Sequence, residues 1–341
     1  MPPEGSSVCF PFEHVQTRTL GASGLPVTTL GLGLAAVGRP AYINLHRDRD
    51  LGADRAVETL RARTCEVLDA AYAAGVRYVD AARSYGLAEE FLASWLDGRG
   101  LAPDAVTVGS KWGYTYTAGW RLDAEVNEVK DHSLSVLRRQ HAESRSILGA
   151  RLRLYQVHSA TLDSGIFEDR AVLAELARLR AEDGLVIGLT VSGPGQGAGV
   201  RRALEIEVDG VNPFATVQAT WNLLEPSAGP ALAEAHEAGF GVILKEVLAN
   251  GRLASPGTDL PPGLPDLARQ TGAGVHELAV ALAAANPWAD VVLSGAVNPA
   301  QVRQNANALP LRVTGLDDAA LRSLAEPPDR YWTERQRLPW R

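Results

Sequence analysis

Short apolar runs alternate with amphipathic helical patterns from residue 29 to residue 309. This alternation is typical of parallel strands that are joined by helical crossovers. Eight runs are predicted to be strands: 29–32, 77–80, 106–111, 152–158, 186–191, 216–219, 242–245 and 291–293. Eight successive β-α units predict an α/β fold, the (β/α)8 or TIM barrel.

Further segments lie outside this eight-fold repeat. Residues 20–27 form two short segments around a Ser-Gly turn, which predicts a β-hairpin that closes the barrel floor. Residues 316–324 predict an extra helix, and the irregular tail beyond it carries Tyr331, Trp332 and Trp340. The tail either packs outside the barrel or forms a wall of its mouth. The predicted organisation is one domain over 1–341, with an N-terminal extension (1–16), a barrel (17–325) and a C-terminal tail (326–341).

A doubly wound dinucleotide-binding sheet is the competing architecture, because Gly31, Gly33 and Gly38 resemble a glycine-rich fingerprint. Such a fingerprint places its third glycine three residues after its second, where a helix begins. Here Gly38 is followed by Arg39 and an irregular polar segment, so the spacing favours the barrel. Residues 193–197, Gly-Pro-Gly-Gln-Gly, fit either a phosphate-binding turn or a flexible entry to a helix.

Charge and composition exclude several classes of protein. The 33 basic and 40 acidic side chains give a net charge of -7, which offers no basic surface to a nucleic acid or an anionic membrane. The sequence has no apolar run of the ~18 residues that a membrane helix needs, and residues 1–10 do not resemble a signal peptide. Cys9 and Cys65 fit a chain that needs no disulfide, and no metal-ligand spacing is present. We therefore predict a cytoplasmic protein without a metal site.

Lysine is rare in this chain, and its positions are informative. Only three of the 33 basic residues are lysines: Lys111, Lys130 and Lys245. The pKa of lysine shifts readily on burial, so a lysine in an apolar run points to a chemical role.

The candidate catalytic residues follow from the barrel, whose active site lies at the C-terminal ends of its strands. Asp80, Lys111 and His158 end the second, third and fourth predicted strands, and Tyr85 follows Asp80 by five residues. Each residue alone also fits a structural role, such as a helix cap, a turn residue or a core histidine. Together, on three neighbouring strands, they predict a catalytic cluster.

This cluster resembles the catalytic tetrad of the aldo-keto reductases, a (β/α)8-barrel family. The resemblance covers most of the chain, in segments 18–33, 78–86, 109–111, 154–159, 218–224 and 295–305. It implies an NAD(P)-dependent oxidoreductase that interconverts an aldehyde, ketone or sugar and its alcohol by hydride transfer. The implied partner is a small carbonyl or hydroxy compound, and the family contains both monomers and oligomers.

The resemblance also implies a role for each of the four residues. Tyr85 is expected to be the general acid/base that protonates the developing alkoxide. Lys111, held by Asp80, is expected to lower the pKa of Tyr85 from about 10, because an ammonium at ~4 Å contributes roughly 4 kcal/mol at an effective dielectric of ~20. His158 is expected to donate a hydrogen bond to the carbonyl oxygen.

Cofactor contacts carry over to this sequence only in part. Gln218 matches the residue that binds the nicotinamide carboxamide, and Trp221 replaces the usual stacking tyrosine with another aromatic ring. Ser192 matches a serine of the fifth-strand motif, but Gly193 stands where an asparagine is common. Residues 246–248, which end in Leu248, stand where Ser-Pro-Leu is frequent and place an acid near the expected pyrophosphate.

The expected phosphate clamp of NADP is weakened. Many family members bind the 2′-phosphate with a lysine, a serine and an arginine, and Gly295, Ala296 and Gln301 stand at those positions. Asn305 matches a residue on the adenine side, and Arg303 is a further cation within reach of a phosphate. The resemblance favours NADP(H) as the cofactor, with NAD(H) as the alternative.

Aromatic segments are expected to shape the substrate pocket. They are residues 42–54, residues 112–120 and the C-terminal tail. Some sugar dehydrogenases of the family use NAD and lack a strong phosphate clamp, so a sugar or a related hydroxy-carbonyl compound is the predicted substrate.

Two other functions remain open at this point. A Schiff-base lyase on the same barrel would use Lys111 or Lys245 as its nucleophile, although Asp80 favours the charged form of the amine, which is not nucleophilic. The family also includes catalytically weak, cofactor-binding regulatory subunits.

Overall fold

The computed structural model describes residues 15–45, 47–254 and 260–340, so almost all of the predicted extension over 1–16, with Cys9, lies outside the described residues. The strands of the described part are β1 (Thr17–Thr19), β2 (Pro26–Thr28), β3 (Leu30–Gly33), β4 (Tyr78–Asp80), β5 (Thr107–Trp112), β6 (Tyr114–Tyr116), β7 (Glu128–Lys130), β8 (Leu152–Ala160), β9 (Val186–Val191), β10 (Thr216–Thr220), β11 (Gly241–Lys245) and β12 (Val291–Ser294). The helices are α1 (Arg47–Leu51), α2 (Val57–Ala73), α3 (Ala88–Gly98), α4 (Leu134–Leu148), α5 (Arg170–Glu182), α6 (Gln196–Leu204), α7 (Gly229–Glu237), α8 (Leu264–Gln270), α9 (Val275–Ala284), α10 (Pro299–Ala308), α11 (Asp318–Ser323) and α12 (Pro328–Gln336).

Eight parallel strands close into a barrel in the order β3, β4, β5, β8, β9, β10, β11, β12, and β12 pairs with β3. This arrangement confirms the (β/α)8 prediction. It also excludes a doubly wound sheet, whose edge strands would stay unpaired. The predicted strand bounds differ from the observed ones by at most two residues. The segment 193–197 leads into α6, which begins at Gln196.

Strand β8 differs from its prediction in a way that matters for the site. It continues to Ala160, so His158 lies inside the strand instead of ending it. The pairing of β8 with β9 shifts between Val157 and Ala160, where Ser159 has a φ of 56°. The Ser159 N–H donates to Thr190 Oγ1 at 2.8 Å. Irregularities of this kind re-aim side chains, and His158 lines the cavity described below.

The predicted N-terminal hairpin is present below the barrel. Strands β1 and β2 pair antiparallel, and a 3₁₀ turn at Gly21–Ser23 joins them. Gly21 has a φ of +50°, and a Cβ there would lie 2.3 Å from the backbone nitrogen of Gly241, so only glycine allows this approach. The hairpin buries Leu20, Leu25 and Val27 against the first halves of the barrel strands, in a cluster with Tyr78, Leu154, Ile243, Val291 and Leu293.

The outer helices pack on the barrel through apolar stripes at helical spacing. In α2 the buried positions recur every three or four residues: Leu60, Thr64, Val67, Leu68 and Ala71. Burying each leucine contributes about 2 kcal/mol. None of the helices in the described ranges combines the length and the apolar character that crossing a bilayer requires.

The C-terminal tail corrects the prediction of an irregular segment. The predicted helix over 316–324 is α11, but the tail contains the additional helix α12, which begins directly after Pro327. Proline is favoured in a first helical turn, whereas the polar composition of α12 hid its periodicity. The tail is tied to the barrel mouth, because Asn222 Nδ2 donates to the hydroxyl of Tyr331 at 2.9 Å and Trp340 forms a β-bridge with Ile43. Of the two positions open for the tail, the structure has the one across the mouth.

Candidate active site

A cavity of about 640 Å³ opens at the C-terminal ends of the barrel strands. This is the end at which barrel enzymes place their active sites. Its wall includes side chains from the ends of barrel strands and from the tail: Asp80, His158, Gln218, Lys245, Ser294, Trp332, Arg335 and Trp340.

The four predicted catalytic residues meet at this cavity. Lys111 Nζ contacts the Asp80 carboxylate, and it donates to the Ala81 carbonyl at 3.0 Å and to the Tyr85 hydroxyl at 3.3 Å. The ring of His158 stands edge-on to the ring of Tyr85, with the centroids 5.5 Å apart. Asp80, Tyr85 and His158 line the cavity, whereas Lys111 lies behind them.

Local backbone packing positions Asp80 and Lys111. Strand β4 pairs with β5 so that Asp80 lies opposite Gly109, two residues before Lys111. A Cβ at Gly109 would lie 2.7 Å from the hydroxyl of Tyr78, and that hydroxyl donates to Asp80 Oδ1 at 3.1 Å. The same oxygen accepts from the side-chain amide of Gln156 at 3.1 Å. Buried donors therefore hold the carboxylate in the orientation that meets the lysine.

A close contact between two loops positions Tyr85. Gly86 has a φ of +65°, and a Cβ there would lie 2.5 Å from the carbonyl oxygen of Gly38. The Leu87 N–H donates to that same carbonyl at 2.8 Å. Gly38, which resembled part of a dinucleotide fingerprint in the sequence, thus allows the loop that carries Tyr85 to approach the loop after β3.

Electrostatics of the cluster differ from the expectation for Tyr85. Burial raises the pKa of Tyr85 well above 10, and Asp80 raises it further, while Arg39 opposes both. The expected net lowering by Lys111 was wrong in direction, because removing the phenol from water outweighs the favourable charge. Burial also lowers the pKa of Lys111, which Asp80 opposes. Burial and the charge of Lys111 lower the pKa of His158 well below 6.5, so its imidazole is neutral.

Most of the predicted cofactor residues line the same cavity: Ser192, Gln218, Leu248, Gly295, Gln301 and Asn305. Trp221 is not among the residues of the cavity wall, and its expected stacking on the nicotinamide stays a prediction. Its ring packs edge-on against Trp288, with the centroids 6.2 Å apart. On the neighbouring strand β11, Lys245 reaches the cavity and donates to Thr220 Oγ1 at 2.9 Å. Burial lowers the pKa of Lys245 to about 8, although Glu246 opposes this.

The predicted clamp for a 2′-phosphate carries an acid in this structure. Gln301 Nε2 donates to Asp50 Oδ2 at 2.7 Å, and Gln301 Oε1 accepts from the Val297 N–H at 2.9 Å. Asp50 lies in α1, in the segment after β3, and it lines the cavity. Gly295 borders open space, since a Cβ there would meet no atom within 4 Å. Arg303 is not among the residues of the cavity wall.

A buried ion pair lies where the sequence placed an acid near the expected pyrophosphate. The Glu246 carboxylate accepts from Arg335 Nε at 2.9 and 3.1 Å and from Thr220 Oγ1 at 3.1 Å. Burial alone would raise the pKa of Glu246, but Arg335 and Lys245 lower it to about 2. The tail therefore brings a compensating charge to this acid.

Arg39, Lys245 and Arg335 are cavity cations that the motifs did not identify as site residues. Lys245 was considered only as the nucleophile of a lyase. Arg39 stands between Gly38 and Pro40 in the loop after β3, six residues beyond Gly33, so a search limited to the ends of strands did not find it. Arg335 carries no local signal, because its contact with Glu246 spans 89 residues of sequence.

The three segments predicted to shape the pocket contribute unequally. Residues 42–54 supply Tyr42, Asn44 and Asp50, and residue 46 lies outside the described residues. Residues 112–120 supply Tyr114, whereas the tail supplies Trp332, Arg335, Gln336 and Trp340. Among the described residues, no group of three or more His, Cys, Asp or Glu side chains could hold a metal ion.

Comparisons with known proteins found similarity over most of the chain. A family model described as the Aldo/keto reductase family matches residues 30–326. The structure is similar to aldo-keto reductase AKR11C1 from Bacillus halodurans in its holo form, with a TM-score of 0.67 and 23% identity, covering 92% of this chain and 97% of that chain. It is also similar to glycerol dehydrogenase AKR11B4 from Gluconobacter oxydans, with a TM-score of 0.65 and 20% identity, covering 94% of this chain and 95% of that chain. A comparison with curated proteins found no match.

Proposed function

The chain belongs to the aldo/keto reductase family of nicotinamide-dependent oxidoreductases, which act on small carbonyl compounds, and we propose that Tyr85 is its general acid and base. The observation that carries this proposal is the contact of Lys111 Nζ with both the Asp80 carboxylate and the Tyr85 hydroxyl, at a cavity that His158 also lines. This arrangement supplies a proton donor, a cation behind it and a neutral hydrogen-bond donor within one site.

Reduction adds one hydride and one proton to the carbonyl group of the substrate. When bound, the reduced nicotinamide supplies a hydride to the carbonyl carbon. The neutral imidazole of His158 donates a hydrogen bond to the carbonyl oxygen, which orients the oxygen and stabilises its developing charge. Tyr85 gives its proton to that oxygen, so the alcohol forms and the tyrosinate is left beside Lys111. The raised pKa of Tyr85 keeps the phenol protonated at neutral pH, which suits reduction, whereas oxidation needs the tyrosinate and is favoured at higher pH.

The residues of the cavity fit a nicotinamide dinucleotide. Ser192 and Gln218 supply polar groups on the cavity wall that Tyr85 also lines, where a carboxamide would bind. The open space at Gly295 leaves room for the adenosine end. Among the cations of the cavity wall, Arg335 is the one we expect to bind the pyrophosphate. In this structure it is paired with the Glu246 carboxylate.

We propose NAD(H) as the preferred cofactor, in place of the NADP(H) that the resemblance favoured. A 2′-phosphate carries about -1.5 to -2 charges at neutral pH. The observation that supports NAD(H) is the Asp50 carboxylate, held by Gln301 at the expected position of that phosphate. Arg49, the neighbouring cation of the cavity wall, is the side chain that opposes this preference.

The proposed substrate is a sugar or a related hydroxy-carbonyl compound. Aromatic rings of Tyr42, Tyr114 and Trp340 share the cavity with the polar side chains of Glu128 and Asp163. Ring faces that pack on C–H groups, together with polar groups that bind hydroxyls, suit a polyhydroxylated substrate.

The experiment that tests this function has two parts. Calorimetric titration with NADH and NADPH is expected to show binding of both, with NADH tighter. Spectrophotometric assays of glyceraldehyde, aldoses and aryl aldehydes are then expected to show oxidation of NADH. Binding without turnover would favour the regulatory-subunit alternative. Failure to bind either cofactor would contradict the proposal and favour the lyase, which borohydride trapping of a carbonyl substrate on Lys111 or Lys245 would detect.

A further inference from the structure

Arg39 is a buried cation of the cavity wall to which the proposed mechanism gives no role. Arg39 is only 2% exposed, and its guanidinium carbon lies 5.2 Å from the centroid of the Tyr85 ring. The rings of Tyr42 and Trp340 lie 5.1 and 4.8 Å from the same carbon. Arg39 Nη1 donates to the Ser84 carbonyl at 2.9 Å, while Nε has no hydrogen-bond partner in the described part of the chain.

The backbone around Arg39 is fixed from behind. A second buried arginine, Arg47, donates to the carbonyl oxygens of Ala36, Arg39 and Pro40 at distances of 2.7, 2.6 and 2.9 Å. Burying a guanidinium is costly unless its donors are satisfied, yet Arg39 keeps an unpartnered donor in a rigid loop. Packing alone does not explain a charged residue here, because an apolar side chain would contact the same three rings without that cost.

The charges around Tyr85 are unequally balanced. From β4 and β5, Asp80 and Lys111 contact each other, and the charge of Asp80 raises the pKa of Tyr85. On β11, Lys245 is a further cation of the cavity wall, and Glu246, directly after β11, is paired with Arg335 of the tail. The remaining pair, Arg39 and Glu128, approaches the phenol from the loop after β3 and from β7.

Arg39 is the cation of that remaining pair. The carboxylate of its partner, Glu128 of β7, lies 2.8 Å from Arg39 Nη1, but the Glu128 side chain is 21% exposed whereas that of Arg39 is 2% exposed. Water screens the more exposed charge better, so the positive charge acts more strongly on Tyr85. His158, which also faces the phenol, is neutral and does not alter this balance.

We propose that Arg39 is a positioning residue for proton transfer, whose fixed charge stabilises the tyrosinate of Tyr85 when the phenol gives its proton to the substrate. The proposal rests on the proposed acid/base role of Tyr85. Arginine keeps its proton at every pH of an assay, whereas burial makes Lys111 easier to deprotonate. A cation within ~4–6 Å typically lowers the pKa of an acid by about 1–3 units. The direction in which Arg39 acts on the pKa of Tyr85 agrees with this geometry.

The test compares two variants of opposite charge effect in the full-length enzyme. Arg39→Met removes the cation, and Glu128→Gln removes its counter-charge. The rate of oxidation is measured against pH with NAD⁺, glycerol and the aldoses as probes. Arg39→Met should raise the apparent pKa of the basic group by about one unit, which lowers the oxidation rate at fixed pH about tenfold. Glu128→Gln should move the same pKa down, by roughly half a unit.

Arg39→Lys is the conservative variant. It keeps the charge, so it should keep the apparent pKa within about 0.3 unit even if it loses the contact with Ser84. If Arg39→Met does not fold by circular dichroism, the Glu128→Gln and Arg39→Lys profiles decide the question. A merely structural role would lower the rates of both charge variants without moving the profile, or would move both in the same direction, and either result overturns the proposal.

The activity of Tyr85→Phe separates the proposed role of Arg39 from the proposed role of Tyr85. If Tyr85→Phe remains active, Tyr85 is not the acid and both proposals fall. If activity depends on Tyr85 but the profile of Arg39→Met is unchanged, only the role of Arg39 is wrong.

Discussion

The tetrad and the phosphate end of the cavity are built in different ways. Asp80 and Lys111 lie on neighbouring strands whose register fixes their separation, and the buried donors Tyr78 and Gln156 hold the carboxylate. At the phosphate end, the groups come from α1, from the first turn of α10 and from the tail, as in the contact between Asp50 and Gln301. The comparison indicates that the tetrad is held by the pairing of neighbouring strands, while the phosphate end is held by contacts between segments far apart in sequence.

The largest expected effect tests the tetrad. Tyr85→Phe removes the proton donor and leaves the ring, so carbonyl reduction should fall about 10³-fold, because a positioned general acid contributes roughly 10²–10⁴-fold. Steady-state kinetics with glyceraldehyde and NADH measure the rate. Calorimetry should show that NADH affinity stays within about twofold, since the ring is kept. A variant that retained more than a few per cent of the wild-type rate would contradict the acid assignment.

The ion pair between Glu246 and Arg335 of the tail tests whether the phosphate end of the cavity also contributes to stability. Arg335→Met leaves the buried charge of Glu246 without its partner, so the free energy of unfolding should fall by about 3 kcal/mol at pH 7. The double variant Arg335→Met/Glu246→Gln should recover most of this loss. Urea unfolding followed by circular dichroism measures both, and equal losses in the two variants would count against the pair.

The same pair predicts a pH dependence of stability. The pKa of Glu246 is lowered from 4.5 to about 2, so its contribution is complete above pH ~4.5 and is lost as the pH falls toward 2. Between these values, Glu246→Gln should lose less stability than the wild type loses. Unfolding curves at pH 6, 4 and 3 test this, and parallel losses in the two proteins would show that Glu246 does not titrate in that range.

A smaller effect is expected from the acid that faces the predicted 2′-phosphate. Asp50→Asn removes the repulsion, so the ratio of NADPH to NADH affinity should rise about fivefold, equivalent to roughly 1 kcal/mol at an exposed site. Asp163→Asn, an acid of the same cavity in the loop after β8, is the matched control and should leave the ratio unchanged. No change with Asp50→Asn would remove the main support for NAD(H).

The sequence was informative where structure is local. Period and strand ends predicted the barrel and brought Asp80, Tyr85, Lys111 and His158 to one end of it, because each of these depends on a few neighbouring residues. The net direction of the Tyr85 pKa was not predictable, since it depends on how deeply the phenol is buried. Nor were contacts that join distant segments, such as Gln301 with Asp50 across 251 residues.

Trp221 shows that matching a motif by residue type does not determine where the side chain lies in the fold. The match was by residue type, an aromatic for an aromatic, but the position of the ring depends on the path of the chain after β10. Asn222 Oδ1 accepts from the N–H groups of Leu224 and Glu225 at 2.9 and 3.0 Å, so a turn begins there. The adjacent ring packs on Trp288, outside the cavity wall.

The smallest expected effect follows from that placement. Trp221→Leu should leave the affinity for NADH within about twofold, because the ring does not line the cavity, and should lower stability by about 1 kcal/mol through the lost contact with Trp288. Gln218→Leu is the comparison, since its amide does line the cavity, and it should weaken NADH binding about fivefold. The affinity for NADH is measured by calorimetry, because the loss of Trp221 itself changes the tryptophan fluorescence of the protein. If Trp221→Leu weakened NADH binding as much as Gln218→Leu, the ring would reach the nicotinamide, and the turn after β10 would belong with the segments that bind the cofactor.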